Sequence, residues 1–268
     1  MTRKPRNPHY QTVVTGVRLG DLDTVKEMLE LGLAQVDWIY RGASLLCLSV
    51  CRGDLKMVEL LVRAGADVNK FYTYQEYSET ALIAAVRLGY ENIARTLALG
   101  SEADVNALDS AGKSALQFAV ETRRPAMVSL LLEAGARISA GLLHTAIKMS
   151  GYLSGQEISL LLLRHGADVE ARDREGRSAL SWAVWVNNLE IVEEVLRLGG
   201  DPHTVGRAVE VTASSEVREL VERSRSQVRR LESLVSRVIR RTLIDNVSTS
   251  SFTERLSQLP LPSKLKGQ

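Results

Sequence analysis

Apolar residues recur at helical spacing along most of the chain. The segments 55–61 and 189–196 place theirs at i, i+3, i+4 and i+7, with charged residues between them. This spacing predicts amphipathic helices that each bury one face. Gly65 and Gly199 follow these segments and predict the helix ends, because glycine readily adopts the positive φ that terminates a helix.

The helical pattern repeats along the chain. A phrase of the form Leu-Leu-x-x-Gly-Ala-Asp-Val-Asn recurs, and Gly32 to Gly65 and Gly166 to Gly199 are each 33 residues apart. Upstream of these phrases a hydroxyl residue precedes a run of leucine and alanine, and its oxygen can accept a backbone N–H of the first helical turn. Such hydroxyl residues are Thr80, Ser114 and Ser178. Each repeat is therefore predicted to contain an inner helix with a hydroxyl cap and an outer helix that ends near a glycine.

The phrase and its period resemble the ankyrin-repeat family over residues 12–222. The resemblance implies an all-α solenoid of helix pairs with short β-hairpin fingers, in about six repeats. The last repeat, at residues 205–223, is degenerate, and residues 1–11 are expected to be disordered. A shortened finger at residues 137–141 and a lengthened turn at 150–155 predict one irregular repeat.

Aromatic residues are concentrated where such a stack would bind a protein. Six of the 13 aromatics lie in two successive fingers, and Trp185 falls at an inner-helix position that faces the groove. Arg87 and Arg177 fall at similar positions, whereas Trp182 matches a packing position. An alternative is that the enlarged finger, residues 70–79, folds its own aromatics against its neighbour. The predicted target-binding residues are Trp38, Tyr40, Phe71, Tyr72, Tyr74, Tyr77 and Trp185.

Composition narrows the function classes. Cys47 and Cys51 lie on one predicted helix face, the four histidines are scattered over different repeats, and no zinc or nucleotide motif is present. We expect no metal site, cofactor or catalytic residue, and therefore a protein that is not an enzyme. The N-terminus lacks the apolar core of a signal peptide, and no stretch approaches the roughly 18 apolar residues of a membrane span. A cytosolic or nuclear protein without membrane contact is expected.

The C-terminal segment carries a second apolar pattern. Residues 231–243 form a helical apolar stripe backed by arginines, and Ser251 begins a second predicted helix with the spacing of a capping box. Pro260 and Pro262 end that helix and fix an extended Leu-Pro-Leu-Pro ridge. The stripe must be buried against another surface, and the ridge presents leucines to a partner at low entropic cost.

Residues 229–268 resemble the SOCS box, within a C-terminal segment of residues 223–268. Together with the repeats, they resemble the ankyrin-repeat and SOCS-box family, the substrate receptors of Elongin B/C cullin-RING ubiquitin ligases. The resemblance implies that the helix binds Elongin C with Elongin B, the ridge binds a Cullin-5-type cullin with its RING subunit, and the repeats bind a target protein. The implied Elongin-binding residues are Leu231, Leu234, Val235, Val238 and Ile239. The implied cullin-binding residues are Leu259, Pro260, Leu261, Pro262 and Leu265.

Two other interpretations remain open for this segment. An interaction scaffold without ligase recruitment could use one long helix for dimerisation, with heptad positions at Val217, Val221, Val228, Leu231, Val235 and Val238. Residues 224–268 also hold nine Lys or Arg against three Asp or Glu, although the whole chain carries only +2. This charge could meet an acidic membrane or nucleic acid, but no aromatic interleaves the arginines, so neither partner is predicted.

Overall fold

The structure is a computed structural model that describes residues 8–74, 77–206 and 212–245. The side chains of Tyr74, Tyr77, Leu153 and residues 240–245 are outside this description. The chain divides into two compact units, residues 1–218 and 219–268.

The first unit is a stack of helix pairs. In its described part the pairs are α1 (Tyr10–Leu19) with α2 (Leu22–Glu30), α3 (Leu45–Arg52) with α4 (Leu55–Arg63), α5 (Ala81–Leu88) with α6 (Glu91–Gly100), α7 (Ala115–Glu121) with α8 (Pro125–Glu133), α9 (Leu142–Lys148) with α10 (Leu153–Arg164), and α11 (Ala179–Trp185) with α12 (Leu189–Arg197). Successive odd-numbered helices pack against one another, and so do successive even-numbered helices. The predicted all-helical solenoid is thus observed, with an inner layer of odd helices and an outer layer of even ones.

The inner helices contain small residues, and α3, α5, α7 and α11 begin at hydroxyl caps, as predicted. In α5 every residue from Ala81 to Val86 is buried, because its alanines let the neighbouring helices approach closely. Thr80 accepts the backbone N–H of Ile83, and Ser114 and Ser178 accept equivalent bonds. These bonds satisfy donors that the first turn would otherwise leave unpaired.

The expected disorder of residues 1–11 is wrong at its C-terminal end. Helix α1 begins at Tyr10, whose side chain is buried and whose hydroxyl donates a 2.7 Å hydrogen bond to the Ile39 carbonyl. A tyrosine so anchored on the next repeat fixes the start of the helix.

Two hairpin fingers precede the inner helices of the second and third pairs. Strand β1 (Ile39–Tyr40) pairs with β2 (Ala43–Ser44), and β3 (Tyr72–Tyr74) pairs with β4 (Tyr77–Glu79), both antiparallel. Single bridges, Leu108 with Ser114 and Arg172 with Ser178, mark two shorter fingers. The fingers also join laterally, since Thr73 N–H donates to the Gly42 carbonyl and Ser110 N–H donates to the Ser78 carbonyl.

The fifth pair departs from this pattern, which confirms the predicted irregular repeat. The described residues 134–141 contain no strand or bridge, and the N-cap residue of α9, Gly141, provides no side-chain cap. Helix α10 follows a longer turn and has 12 residues. The inner helix of this pair consequently has no finger of its own beside it.

The recurring Asp-Val-Asn phrase has a structural role between repeats. Asn69 accepts the Asp104 N–H and donates to the Glu102 carbonyl in the following repeat. Asn106 accepts the Arg137 N–H in the same way, at 2.7 Å. These bonds cross from one repeat to the next and fix their spacing, because they satisfy backbone groups of the neighbouring loop.

The chain after the sixth pair differs from the predicted boundary at residue 222. A short 3-10 helix at Pro202–Val205 is followed by a helix over Ser215–Asp245, which we call the long helix. It runs without interruption through residues 222 and 223, and the boundary between the compact units falls at Arg218. Helical propensity continues across the predicted boundary because residues 215–245 contain no proline or glycine.

Candidate protein-binding groove

One position of the inner helices defines the candidate groove. The seventh residue of five successive inner helices is Cys51, Arg87, Glu121, Lys148 and Trp185. Arg87 and Glu121 reach residues of the fingers that precede them, and the Cys51 sulfur lies 3.9 Å from the Tyr72 hydroxyl of the following finger. This row therefore points to the side of the stack that carries the fingers.

The enlarged finger, residues 70–79, contains four of the predicted target-binding aromatics, and the fold buries one of them. Tyr72 is only 3% exposed, and its hydroxyl donates to the buried carboxylate of Glu79. The Arg87 guanidinium donates to both oxygens of that carboxylate, with Nε to Oε2 at 3.0 Å. Burial and the hydrogen bond to Glu79 raise the pKa of Tyr72, and the hydrogen bond to Glu79 also raises the pKa of Arg87. The prediction that Tyr72 contacts a target is wrong, because the enlarged finger buries it as a packing anchor.

The other aromatics of this finger have different positions. The Phe71 side chain is 51% exposed and remains available for contact. Tyr74 and Tyr77 face each other at the end of the hairpin as Cα partners, and their side chains lie outside the described residues. In this finger Phe71 is therefore exposed enough to contact a target and Tyr72 is not, whereas target contact by Tyr74 and Tyr77 stays a prediction.

The first finger holds its aromatics against the N-terminal repeat. The Trp38 ring packs edge-on against Tyr10, with ring centroids 5.3 Å apart. Two guanidinium groups lie near the Tyr40 ring, with Arg18 at 5.9 Å and Arg41 at 5.3 Å from its centroid. Both rings are partly exposed, so each combines packing with a surface that a partner could reach.

The C-terminal end of the groove is formed by two tryptophans. Trp185 is 58% exposed, and its ring centroid lies 6.1 Å from that of Trp182. Trp182 was predicted to be core but is half-buried, because its indole N–H donates a 2.8 Å hydrogen bond to Asp173 in the finger. The Arg177 guanidinium donates to the same carboxylate oxygen and stacks on the Trp182 ring.

The chain is similar in sequence and in structure to several known proteins. A sequence profile described as "Ankyrin repeats (3 copies)" matches residues 13–109 and 72–141. The ankyrin repeat domain of Bcl-3, a member of the IkappaB family, superposes with a TM-score of 0.63 at 30% identity, over 78% of this chain and 97% of the other. The chain belongs to the ankyrin-repeat family. An ankyrin repeat domain from Acinetobacter baumannii is also similar, with a TM-score of 0.64 at 26% identity over 72% of this chain and all of the other, 100%.

The chain is also similar to parts of longer proteins. Human Ankyrin repeat and SOCS box protein 6 is 32% identical over 206 aligned positions, which cover 63% of this chain and 47% of the relative. Mouse Neurogenic locus notch homolog protein 1 is 32% identical over 126 positions, which cover 46% of this chain and 5% of the relative. The chain spans about half the length of the SOCS-box relative that it matches, 47%. The repeats establish a protein-interaction domain, and the SOCS box stays a prediction.

The ankyrin groove also contains residues that the sequence reading missed. The Lys148 ammonium lies 4.2 Å from the Trp182 ring centroid, and Leu108 and Ile39 are exposed on two fingers. Lys148 could have been predicted from the sequence, because it occupies the same position of its inner helix as Arg87 and Trp185 do in theirs. Asp173 was not, since the loop geometry that brings its carboxylate to the Trp182 indole is absent from the sequence pattern.

Asp173 shows how this end of the ankyrin groove is organised electrostatically. Burial alone would raise the pKa of its carboxyl group, but hydrogen bonds from Trp182 and from the backbone and side chain of Arg177 lower the pKa well below its ordinary value. The carboxylate therefore stays ionised and fixes both the indole and the guanidinium.

The thiols and histidines of the ankyrin stack have structural surroundings. Burial raises the pKa of the Cys47 thiol to about 12, and burial also raises the pKa of Cys51. His144 is buried with Nε2 3.2 Å from the Arg177 carbonyl oxygen of the next repeat. In the described ranges of the chain no cluster of three or more His, Cys, Asp or Glu could hold a metal ion. No helix described there is long and apolar enough to cross a bilayer.

The long helix, which follows the ankyrin repeats, carries the predicted Elongin-binding residues. Leu231, Leu234 and Val238 are 61%, 51% and 58% exposed, and Val235 and Ile239 are partly exposed. Their spacing places all five on one side of the helix. The predicted cullin-binding residues, Leu259, Pro260, Leu261, Pro262 and Leu265, lie outside the described residues.

Proposed function

We propose that this ankyrin-repeat protein is the substrate-recognition subunit of an Elongin B/C cullin-RING ubiquitin ligase. Its groove holds a target protein, and its C-terminal segment attaches that target to the ligase in the cytosol or nucleus. Catalysis then follows from proximity, so the chain supplies no catalytic residue and needs no cofactor. The observation that carries the proposal is the exposed apolar stripe of the long helix, in a chain similar to a curated ankyrin-repeat and SOCS-box protein.

The exposed apolar stripe of the long helix is suited to binding a partner helix or a groove on a partner protein. Leu231, Leu234 and Val238 together expose enough apolar surface that leaving them in water is unfavourable, at roughly 25 cal/mol for each Å² that a partner could bury. Their i, i+3 and i+7 spacing suits a hydrophobic groove. On the SOCS-box resemblance that groove belongs to Elongin C.

The cysteine that the family usually carries in this helix is replaced by Val235, or by Val238 if Ser233-Leu234 sets the register. Valine is branched but close to cysteine in volume, so we expect weaker Elongin C binding rather than its loss. Cullin recruitment is assigned to the ridge from Leu259 to Leu265, where the match with the family pattern is in the sequence alone.

The target-binding half of the proposal uses the exposed groove residues. Among the predicted aromatics whose side chains the structure describes, Trp185 and Phe71 are the most exposed, and Tyr40 and Trp38 present partial surfaces. Tyr74 and Tyr77 complete the proposed set at the tip of the enlarged finger. Exposed aromatic rings contribute large contact areas with little loss of side-chain entropy, which makes them effective anchors.

Co-purification with Elongin B and Elongin C tests the ligase half. The intact chain should retain both proteins, and Leu231→Asp with Leu234→Asp should abolish retention because each places a charge on the apolar stripe. Ser233→Asp with Ser236→Asp is the matched control, since it adds the same charges at exposed positions on the opposite side of the helix. No retention by the intact chain, or equal loss in both pairs, would contradict the proposal.

A second function is favoured by the continuity of the long helix. Its 31 residues would extend about 46 Å at 1.5 Å per residue, long enough for the heptad pairing of two copies. An interaction scaffold that dimerises through this helix would show twice the monomer mass by light scattering in the absence of Elongin B/C. A monomer that forms a stoichiometric complex with Elongin B/C supports the ligase receptor instead.

A further inference from the structure

Trp182, Trp185 and Lys148 form one patch at the C-terminal end of the groove, which we call the tryptophan platform. The two rings lie 6.1 Å apart, and the Lys148 ammonium lies 4.2 Å from the Trp182 ring. Trp185 is more than half exposed, and Lys148 is exposed as well. A ligand on this platform therefore meets an apolar indole surface with an ammonium group at its edge.

The charges around the platform differ in whether a partner already neutralises them. Arg177 is paired with Asp173 and with Glu175. For Lys148, the part of the chain that the structure describes offers no carboxylate within 4.0 Å of the ammonium. The charge that a ligand can neutralise here is therefore positive, although the repeats carry excess acid overall.

We propose that the tryptophan platform binds an acidic and apolar segment of the target protein. The carboxylate of an Asp or Glu in that segment pairs with Lys148, and a neighbouring apolar or aromatic side chain lies on Trp185. This inference deepens the proposed function and rests on it in one respect, because it takes the groove as the target-binding site.

A cationic ligand, such as a methylated lysine, is the main rival for two adjacent indole rings. Here the Trp182 ring already has the Lys148 ammonium and the Arg177 guanidinium each 4.2 Å from its centroid. A further cation would be repelled by the Lys148 ammonium, whose charge no carboxylate of the described residues neutralises, whereas a ligand carboxylate is attracted by it. The observed charges thus favour the acidic segment.

Panning of a phage-displayed library of random twelve-residue peptides against the full chain tests this assignment. At low salt the selected peptides should be enriched in Asp or Glu next to Leu, Phe or Trp, and their binding should weaken as salt is raised. Trp185→Ala should weaken the binding of a selected synthetic peptide at least about tenfold, the loss typical of a central aromatic anchor. Lys148→Glu should reverse the charge preference of the selection towards Lys and Arg.

Matched controls separate the platform from general surface effects. Lys56→Glu makes the same charge change at an exposed position of the outer helix α4, and Tyr152→Ala removes an exposed aromatic outside the platform. Both should leave the selected peptides bound as tightly as by the unaltered chain. Enrichment of peptides rich in Lys or Arg, no enrichment, or equal binding by Lys148→Glu would overturn the inference.

Elongin B/C binding by the same preparations distinguishes this inference from the ligase proposal. If the chain binds acidic and apolar peptides but retains no Elongin, the result supports the tryptophan platform and refutes only the ligase function. Elongin bound by a chain that selects no acidic peptide would refute only the platform.

Discussion

Arg87 and Lys148 occupy the same position in two inner helices, yet only one is available to a partner. The Arg87 guanidinium is bound by the buried carboxylate of Glu79 in the finger before its helix. Helix α9, which carries Lys148, has no finger beside it, so no residue takes the place of Glu79. For these two cations, the preceding finger decides whether the charge is held by the fold or left to a ligand.

Replacing Glu79 by Gln should produce the largest loss of stability in this comparison. The Glu79 side chain is 1% exposed, and the amide would remove the anionic partner of the Arg87 guanidinium, whose side chain is 37% exposed. Because water reaches the Arg87 side of the pair, we expect the free energy of unfolding to fall by about 2 kcal/mol, measured by urea denaturation, which is less than for a pair buried on both sides.

Glu121→Gln is the control for this change. Glu121 pairs with Lys113, but both side chains are more than 40% exposed, at 43% and 41%. The loss should stay below about 1 kcal/mol, as for exposed ion pairs. Similar losses in the two variants would show that burial of Glu79 does not set the strength of its pair.

The repeats themselves could be predicted because their pattern is local. The cap at Thr80 and the glycine at Gly65 each act within a few residues, and the 33-residue period reports stacking of identical units. The burial of Tyr72 could not be predicted in the same way. It depends on which face of the enlarged hairpin turns inwards, and that is fixed by the partner Glu79 and by Arg87 in the next helix.

Replacing each of the two cations by the other basic residue should have a smaller effect on the free energy of unfolding and should separate their roles. Arg87→Lys removes the two-point contact with the Glu79 carboxylate, which a single ammonium cannot reproduce, and should cost about 1 kcal/mol. Lys148→Arg should change the free energy of unfolding by less than about 0.5 kcal/mol, because its charge has no such contact. Urea midpoints of the two variants measure the difference, and equal midpoints would contradict the distinct roles.

The pH dependence of stability should reveal the carboxylate that orders the tryptophan platform. Asp173 has a folded-state pKa below that of the unfolded chain, so its ionised form stabilises the fold above the unfolded pKa of about 3.9. This contribution is lost as the pH falls through the folded-state value. The melting temperature of the unaltered chain should exceed that of Asp173→Asn near pH 6, and the two should converge towards about pH 2. A constant difference across that range would exclude a role for the charge.

The platform was only half predictable for a related physical reason. Trp185 was found because its place in the helix register predicts exposure, and Lys148 shares that register. The half-burial of Trp182 depends on Asp173, nine residues earlier in a loop, whose side chain reaches the indole through a turn that no helical period encodes. Register thus predicts which residues point to the groove, and loop contacts decide how each is held there.

Trp185→Ala should have the smallest effect on stability, and that makes it the sharpest test of what the groove is for. The side chain is 58% exposed, so its removal should change the free energy of unfolding by less than about 0.5 kcal/mol. Trp182→Phe is the contrasting variant, because it deletes the indole donor to Asp173 and should cost about 1 kcal/mol. Tryptophan fluorescence of the folded chain should lose its most solvent-exposed, acrylamide-quenched component only in Trp185→Ala. If Trp185→Ala leaves the fold intact, the exposed indole contributes almost nothing to stability and is free to contact a target. A strong destabilisation by Trp185→Ala would instead show that the indole serves packing, and it would remove the main reason to place a target at this position.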